Sequence, residues 1–464
     1  MSQPPAEAVG VTAELLARHD RPGPRYTSYP TAVEFTSAFG PLDHAASLDR
    51  AGALVDEPLS LYVHLPFCRE RCSFCGCHVV TTKRATVADA YLGRLIAEAG
   101  LVADHLGDRV VLEQYHWGGG TPTFYSPSDL ARLHQELLTR FELAPDAEVA
   151  VEVDPRVTTP EHLRTLRELD FNRLSMGVQD LDPMVQELIG RGQTRSETVA
   201  LFEAARSLGF ASINIDLVFG LPGQTPATLH RTLEQVLALR PDRIAVYSFA
   251  YLPTLRGNQR RIDQARLPDR LIKFELLSSA ITTITGDGYL QIGMDHFALP
   301  DDELSRARGD GTLSRNFMGY TTKRAPDVVA IGSSGISDVQ GSYAQNHKRL
   351  ASYYESVDRR ELPVERGLTL THDDRVRRHV ITELMCNHRV GTADVESRFS
   401  IDFDDHFVAE LDAVQRPGGA VAEGLLTVTD EELGATPLGE LFIRNVAMAF
   451  DAYRTQGDGA ASPA

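Results

Sequence analysis

Between residues 59 and 251, six short apolar runs alternate with stretches of helical periodicity: LSLYVHLP, EQYHWGG, AEVAVEVD, FNRLSMGV, SINIDLVFG and RIAVYSFA. The intervening helices are well signalled. Ser126-Pro127 offers an N-cap and a first-turn proline ahead of Leu130, Leu133 and Leu137, and Thr225-Pro226 repeats the device ahead of Leu229, Leu233 and Val236. Gly209 closes a helix carrying Val199, Phe202 and Leu208. Strand–helix units in succession imply a parallel sheet with right-handed crossovers. Six units are too few for a closed eight-fold barrel, so an α/β fold built on a partial, open (βα)6 barrel is predicted. GYLQIGMDHFA and VVAIGSSGI offer further strands. The predicted layout is an N-terminal arm over 1–50, the barrel with an extension over 51–345, and a mainly helical C-terminal domain over 346–464, where GLLTVTD suggests a small hairpin. The first ten residues and the tail GDGAASPA, small, polar and rich in Pro and Gly, are expected to be loose.

The unusual residues fall where these strands end. Four cysteines follow the first, GGGTP ends the second, EVDP the third and VQD the fourth; Asp216 lies within the fifth and Ala250 ends the sixth. Barrel enzymes build their sites at the C-terminal ends of strands, and so many motifs on one rim are hard to obtain by chance. The net charge of −18 argues against a nucleic-acid partner but leaves room for a local basic pocket. No apolar run approaches the roughly 20 residues of a spanning helix. The start MSQPPAEAVG lacks the basic and apolar regions of a secretory signal, so a cytoplasmic protein is expected. Thiols stay reduced there, and clustered cysteines then point to metal or redox chemistry.

The spacing Cys68-x3-Cys72-x2-Cys75-x-Cys77 is compact. Structural zinc uses two cysteine pairs separated by a dozen or more residues, so zinc fits poorly. An electron-transfer cluster with four thiolates draws its last ligand from a distant segment more often than from the same run. The pattern Cys68, Cys72, Phe74, Cys75 resembles the signature of the radical S-adenosylmethionine (SAM) enzymes. That resemblance implies a 4Fe–4S cluster held by Cys68, Cys72 and Cys75, with the fourth iron open to the SAM amino and carboxylate groups. It also implies that Phe74 can lie against adenine.

PRYTSYPT (24–31), LYVHLPFC, CGC, HWGGGTPT, VEVDP, RLSMGVQD, NIDLVFGLPGQT and GMDHFA together resemble the oxygen-independent coproporphyrinogen III oxidases, over nearly the whole chain from Pro24 to about Tyr453. Related haem chaperones share the barrel but lack PRYTSYPT and Cys-Gly-Cys. His78 stands where the family commonly has asparagine, and Met318 where it often has glutamine.

The resemblance implies roles residue by residue. Gly119, Gly120 and Thr121 would contact SAM, although a tight turn alone also explains glycines here. Glu152 in an apolar strand would be a SAM ligand, with a structural ion pair as the alternative. Tyr62 and Ile336 match positions near the first SAM, where packing is an equally good reading. Gln179, Arg191, Asp216 and Ala250 match positions holding a second SAM. Taken singly, Arg191 would more often be a solvated surface residue. PRYTSYPT would be an arm closing the barrel mouth, and RNFMGYTT (315–322) would lie beside the second SAM. Cys386 and Trp117 read as core packing.

The implied reaction is oxidative decarboxylation of two propionates of coproporphyrinogen III to vinyl groups, giving protoporphyrinogen IX. Cys77, separated from Cys75 by Gly76, would be a thiol beside the site rather than a fourth ligand. Arg25 and Arg315 are candidates for the substrate carboxylates. The expected partners are the substrate and a low-potential electron donor such as flavodoxin or ferredoxin, with no nucleic acid, no membrane span and a monomeric state. A haem-binding protein and a zinc scaffold are the alternative classes.

Overall fold

The computed structural model describes residues 11–454 apart from 20, 22 and 324, so the expectations for the first ten residues and the tail lie outside it. The chain forms two compact units. One gathers the described parts of Met1–Glu34, Asp269–Thr322 and Leu370–Ala464; the other is Phe35–Pro268 with Lys323–Thr369. Each is assembled from separate stretches, whereas the sequence suggested three consecutive segments. The helix Pro41–Gly52, expected in the arm, buries Leu48 and Ala51 in the second unit. Residues 269–322, expected as barrel extension, belong to the first unit.

The second unit carries the sheet. Its strands are β1 (Leu59–Leu65), β2 (Val111–Gly119), β3 (Glu142–Val153), β4 (Arg173–Gln179), β5 (Ser212–Phe219), β6 (Arg243–Ser248), β7 (Asp327–Ile331), β8 (Ile336–Val339), β9 (Ser342–Asn346) and β10 (Val364–Thr369). Within this unit they lie side by side in the order β10-β9-β8-β7-β1-β2-β3-β4-β5-β6. Neighbours from β1 to β6 are parallel, as six strand–helix units require. β7 is a further parallel strand on the open side of β1, followed by three antiparallel neighbours. Buried on both faces, β1 reads as an apolar run rather than an alternation, as parallel strands do.

Crossover helices cover the outside: α1 (Ala85–Leu106), α2 (Pro127–Leu137), α3 (Pro160–Glu168), α4 (Arg195–Ser207) and α5 (Pro226–Leu237). Four start on a hydroxyl that accepts the amide three residues on, from Ser126, Thr159, Thr194 and Thr225. Each such cap contributes about 1 kcal/mol. On α4 the buried face is Thr198, Leu201, Phe202 and Ala205, while Val199 is only half-buried. Gly209 follows it with φ +76°, where a side chain would be strained.

Beneath the strands sits a fully buried ion pair, Arg109 Nη1 to Asp327 Oδ2 at 2.6 Å. Arg109 also donates to the carbonyls of Ala51, Glu57 and Pro58, and Asp327 accepts from the amide and side chain of Gln340. Every charge is answered, but removing one partner strands the other. Arg109→Ala is therefore expected to destabilise the second unit by about 3–5 kcal/mol, read as a drop in its urea midpoint. An unchanged midpoint would mean Asp327 finds another partner.

The first unit has its own core. The helix His372–Asn387 buries Val376, Val380, Ile381 and Leu384 among Phe403, Phe407, Ile443 and Phe450. GLLTVTD proves to be part of a three-stranded antiparallel sheet, in which Glu432–Ala435 pairs with both Leu426–Val428 and Arg389–Gly391. PRYTSYPT contributes to this core: Tyr26 and Tyr29 are buried, Tyr26 donates to Asp451 at 2.8 Å, and Tyr29 accepts from the Ala452 amide at 3.0 Å. Cys386 is buried with Ile292, Leu304 and Leu313, as expected of a packing thiol. RNFMGYTT forms the antiparallel hairpin Ser314–Asn316 with Gly319–Thr321. Among the described residues no helix is long and apolar enough to cross a membrane.

Candidate active site

The second unit's strands end at one rim, and the cysteine loop lies there, directly after β1. Its main chain is held from outside the loop. Asn258 Nδ2 donates to the carbonyls of Cys72, Ser73 and Cys75 at 3.0–3.1 Å, and Gln259 Nε2 to that of Phe74 at 3.2 Å. Arg261 donates to the Arg71 carbonyl at 2.5 Å. Nothing in the sequence marked LRGNQRRI for this, because the contact spans more than 180 residues and has no periodicity.

The three expected ligand thiols face polar or cationic donors. Arg156 and Arg191 each place a guanidinium nitrogen near Cys72 Sγ, at 3.8 and 3.9 Å. Both also lie against Asp154, at 2.6 and 3.4 Å. Cys68 Sγ lies 3.3 Å from Thr121 Oγ1. Burial, only partly offset by Thr121, pushes the Cys68 thiol up to about 11. Cys75 goes the other way, its thiol pulled down chiefly by the neighbouring Cys77 thiol, with Arg71 and Arg191 helping. Cys77 is the exposed member, and the neighbouring Cys75 thiol pushes its own well above the usual range. Gly76 does not need to be glycine: its φ is not positive and an added Cβ would meet nothing within 4 Å. Three thiols on a clamped loop, with guanidinium donors beside one, fit an anionic three-thiolate cluster.

The glycines that end and follow β2 leave no room for a side chain in this arrangement. A Cβ on Gly118 would lie 2.7 Å from Glu152, one on Gly119 (φ +111°) 2.5 Å from His64, and one on Gly120 2.5 Å from the Pro66 main chain. They therefore admit a carboxylate and an imidazole to the rim, a role the sequence did not reveal. Glu152 Oε2 accepts the Gly119 amide at 3.1 Å and Oε1 lies 3.5 Å from His116 Nε2. Burial opposes its ionisation, but His116 and that amide win and hold its carboxyl below the ordinary value. Tyr62 stacks on His116 at 5.8 Å and meets His64 Nδ1 at 3.1 Å. Burial, then the charges of Glu152 and Cys77, push its phenol up. Tyr62, Cys77 and Glu152 thus share one space. Ile336 opens β8 after the turn that follows β7, a turn whose Ser334 lies 3.4 Å from His64.

A second group lies around β4 and β5. Arg191 donates to the Gly177 carbonyl at 2.6 Å and to Gln193 at 2.8 Å, so it is committed rather than solvated. A Cβ on Gly177 would meet both Gln179 Nε2 (2.9 Å) and Arg191 Nη2 (3.4 Å). Gln179 has φ +71°, a strained position for a side chain. Asp216 accepts from Ser175 at 2.9 Å and Asn214 at 2.8 Å on the same two strands. Ala250 is exposed, its carbonyl taking Gln259 Nε2 at 3.0 Å. Phe74 packs beside Val185, Ile189, Val218 and Phe249.

Residues 62–236 match the radical SAM superfamily model and 370–442 that of the HemN C-terminal domain. The chain is 44% identical to the oxygen-independent coproporphyrinogen III oxidase of Pseudomonas aeruginosa, over 95% of both chains. This chain belongs to the oxygen-independent coproporphyrinogen III oxidase family. The Escherichia coli member is likewise 44% identical over 95% of each chain. The solved structure of that organism's coproporphyrinogen III oxidase, described as a radical SAM enzyme, superposes with a TM-score of 0.89 at 43% identity, covering 93% of this chain and 98% of that one. Membership implies a 4Fe–4S cluster and SAM.

Glu152→Ala removes a group that touches the glycine turn but no cysteine. It is expected to keep full iron and sulfide while SAM binds about 10–100-fold more weakly, the range for losing a hydrogen bond to a charged group. If Glu152 only anchors His116, thermal stability will fall and SAM affinity will not change.

Proposed function

We infer that this chain carries out the anaerobic oxidative decarboxylation of two propionate side chains of coproporphyrinogen III, giving protoporphyrinogen IX for haem synthesis. The observation that carries this is the convergence, on one rim, of a clamped three-cysteine loop with Cys77, Tyr62 and Glu152, in a chain aligned over 95% of its length with enzymes of that name. A 4Fe–4S cluster held there would supply the electron for cleaving SAM to a 5′-deoxyadenosyl radical.

Cys68, Cys72 and Cys75 hold the cluster, and Arg156 and Arg191 offset its charge. Asn258, Gln259 and Arg261 hold the loop in shape before and after the cluster enters. Glu152, Gly119, Gly120, Thr121, Tyr62, Phe74 and Ile336 hold the first SAM. Gln179, Arg191, Asp216 and Ala250 hold a second. The residues must keep each substrate β-carbon within reach of the radical and exclude water from it. For each propionate a β-hydrogen is taken, the Cα–carboxylate bond breaks, carbon dioxide leaves, and one electron passes to an acceptor. Cys77, exposed on the same space, stands by as a thiol for a proton, hydrogen-atom or electron transfer step of the cycle, while the electron released with carbon dioxide leaves to the separate acceptor. A low-potential donor such as flavodoxin or ferredoxin supplies the reducing electron, the enzyme works as a monomer, and it acts in the cytoplasm.

The test is anaerobic incubation of reconstituted protein with SAM, a reductant and coproporphyrinogen III. Loss of two carboxyl groups, read by mass, is expected. Tight binding of haem without conversion would instead make the chain a haem carrier.

A further inference from the structure

The sequence offered Arg25 and Arg315 for the substrate carboxylates, but both are engaged within the first unit. Arg25 pairs with Asp295, and Arg315 donates to the Arg25 carbonyl at 2.8 Å. A different set of cations stands beside the cysteine loop in the second unit. Arg71 belongs to that loop and reaches the Cys77 carbonyl at 3.3 Å. Arg256 begins the turn carrying Asn258 and Gln259. Lys348 and Arg366 come from the segment joining β9 to β10 and from β10 itself. His78 lies at the centre. Its carbonyl meets His64 Nε2 at 3.2 Å, its ring is 6.0 Å from that of His64, and the Lys348 main chain bonds the imidazole.

Like charges placed together repel, and the two members closest to the loop, Arg71 and Arg256, are the ones without a counter-charge, since Lys348 has Glu365 nearby and Arg366 Nε donates to Gln345 Oε1 at 2.8 Å. Among the described residues Arg71 and Arg256 form no ion pair, and their Nε atoms, with His78 Nε2, are buried without a hydrogen-bond partner. Burial and the neighbouring Arg366 depress the Lys348 ammonium, and His78 is depressed by burial with Lys348, Arg71 and Arg256 around it. The carboxylate beside Lys348, Glu365, is exposed, as Lys348 is, and takes the Lys348 amide at 3.3 Å, while Glu152 is already held by the Gly119 amide and His116. In a chain of net charge −18 such a group is not a by-product of composition. Unsatisfied buried guanidinium donors are costly until an anion arrives, and a carboxylate fits their paired N–H geometry.

We propose that Arg71, His78, Arg256, Lys348 and Arg366 form a carboxylate pocket that anchors a propionate of the substrate beside Cys77. The proposal rests on the coproporphyrinogen reading above. Anchoring one propionate here sets the position of the macrocycle, so that the propionate to be decarboxylated is presented to the space shared by Cys77 and Tyr62. An acidic protein surface is the competing occupant. It is disfavoured because the unpartnered Nε atoms are buried, where a small carboxylate group reaches more readily than a broad protein face.

The probe is coproporphyrin III, the air-stable oxidised macrocycle with the same four carboxylates, titrated against the reconstituted holoenzyme. Its tetramethyl ester is the uncharged control. Arg256→Gln combined with Lys348→Gln is expected to weaken coproporphyrin III binding at least about 10-fold, as loss of charge-assisted bonds does, and to leave the ester unaffected. Iron content and SAM binding, measured on the same preparations, are expected to stay at wild-type values, showing the loop intact. Undiminished coproporphyrin III binding by the double variant overturns the pocket. So does a variant impaired only in its reduction by flavodoxin, which would make the patch a docking face for the donor. Failure of the wild-type protein to bind coproporphyrin III overturns the substrate reading itself.

Discussion

Replacing Cys72 by alanine is expected to yield a folded protein with background iron and sulfide and no measurable SAM cleavage, a loss of at least about three orders of magnitude, or about 4 kcal/mol of barrier. Cys72 is the most buried of the three proposed loop ligands and the one that Arg156 and Arg191 both approach. Without its thiolate, one iron has no protein ligand and two guanidinium groups face a methyl. Cys68→Ala and Cys75→Ala should behave alike. Cys386→Ala is the control, since Cys386 is packed among apolar side chains of the other unit. Undiminished iron, sulfide and SAM cleavage in Cys72→Ala would sink the cluster assignment.

Cys77→Ser is expected to separate cluster from chemistry. If Cys77 occupied the fourth iron, SAM could not chelate there. In the structure it is exposed and shares its surroundings with Glu152 and Tyr62. Serine keeps the size and a donor but loses the acidity and redox chemistry of sulfur. Iron content and the spectrum of the SAM-bound cluster should therefore remain at wild-type values while vinyl formation falls by about 100-fold or more, the range for losing a positioned proton-transfer group. Loss of the cluster would make Cys77 a true ligand, and full activity would make it packing.

Much of this was legible in the sequence, and unevenly so. The apolar runs located β1 to β6 because a strand buried on both faces cannot hide its composition. Ser126 and Thr225 marked helix starts because capping is local. The cysteines, Glu152 and Gly119 were visible because their residue types are costly or unusual at strand ends. Contacts between distant segments left no such trace. β7 lies beside β1 although well over 200 residues separate them. Asn258 clamps a loop far away in sequence, and His64 and His116 gain their roles only from the carboxylate and phenol folded against them. Arg25 looked available for substrate because Asp295, its partner, is 270 residues away. The division of the chain was hidden for the same reason: segments that share a unit are not consecutive.

The central claim is that a SAM-derived radical takes a β-hydrogen from the propionates of coproporphyrinogen III at the rim built by the cysteine loop, Glu152 and Cys77. Anaerobic turnover of substrate deuterated at those β-carbons tests it most directly, with the recovered 5′-deoxyadenosine analysed by mass. Deuterium in 5′-deoxyadenosine, accompanied by loss of carboxyl groups from the porphyrinogen, is the result predicted. Vinyl formation with no deuterium transferred, or 5′-deoxyadenosine released with all four carboxylates retained, would contradict it.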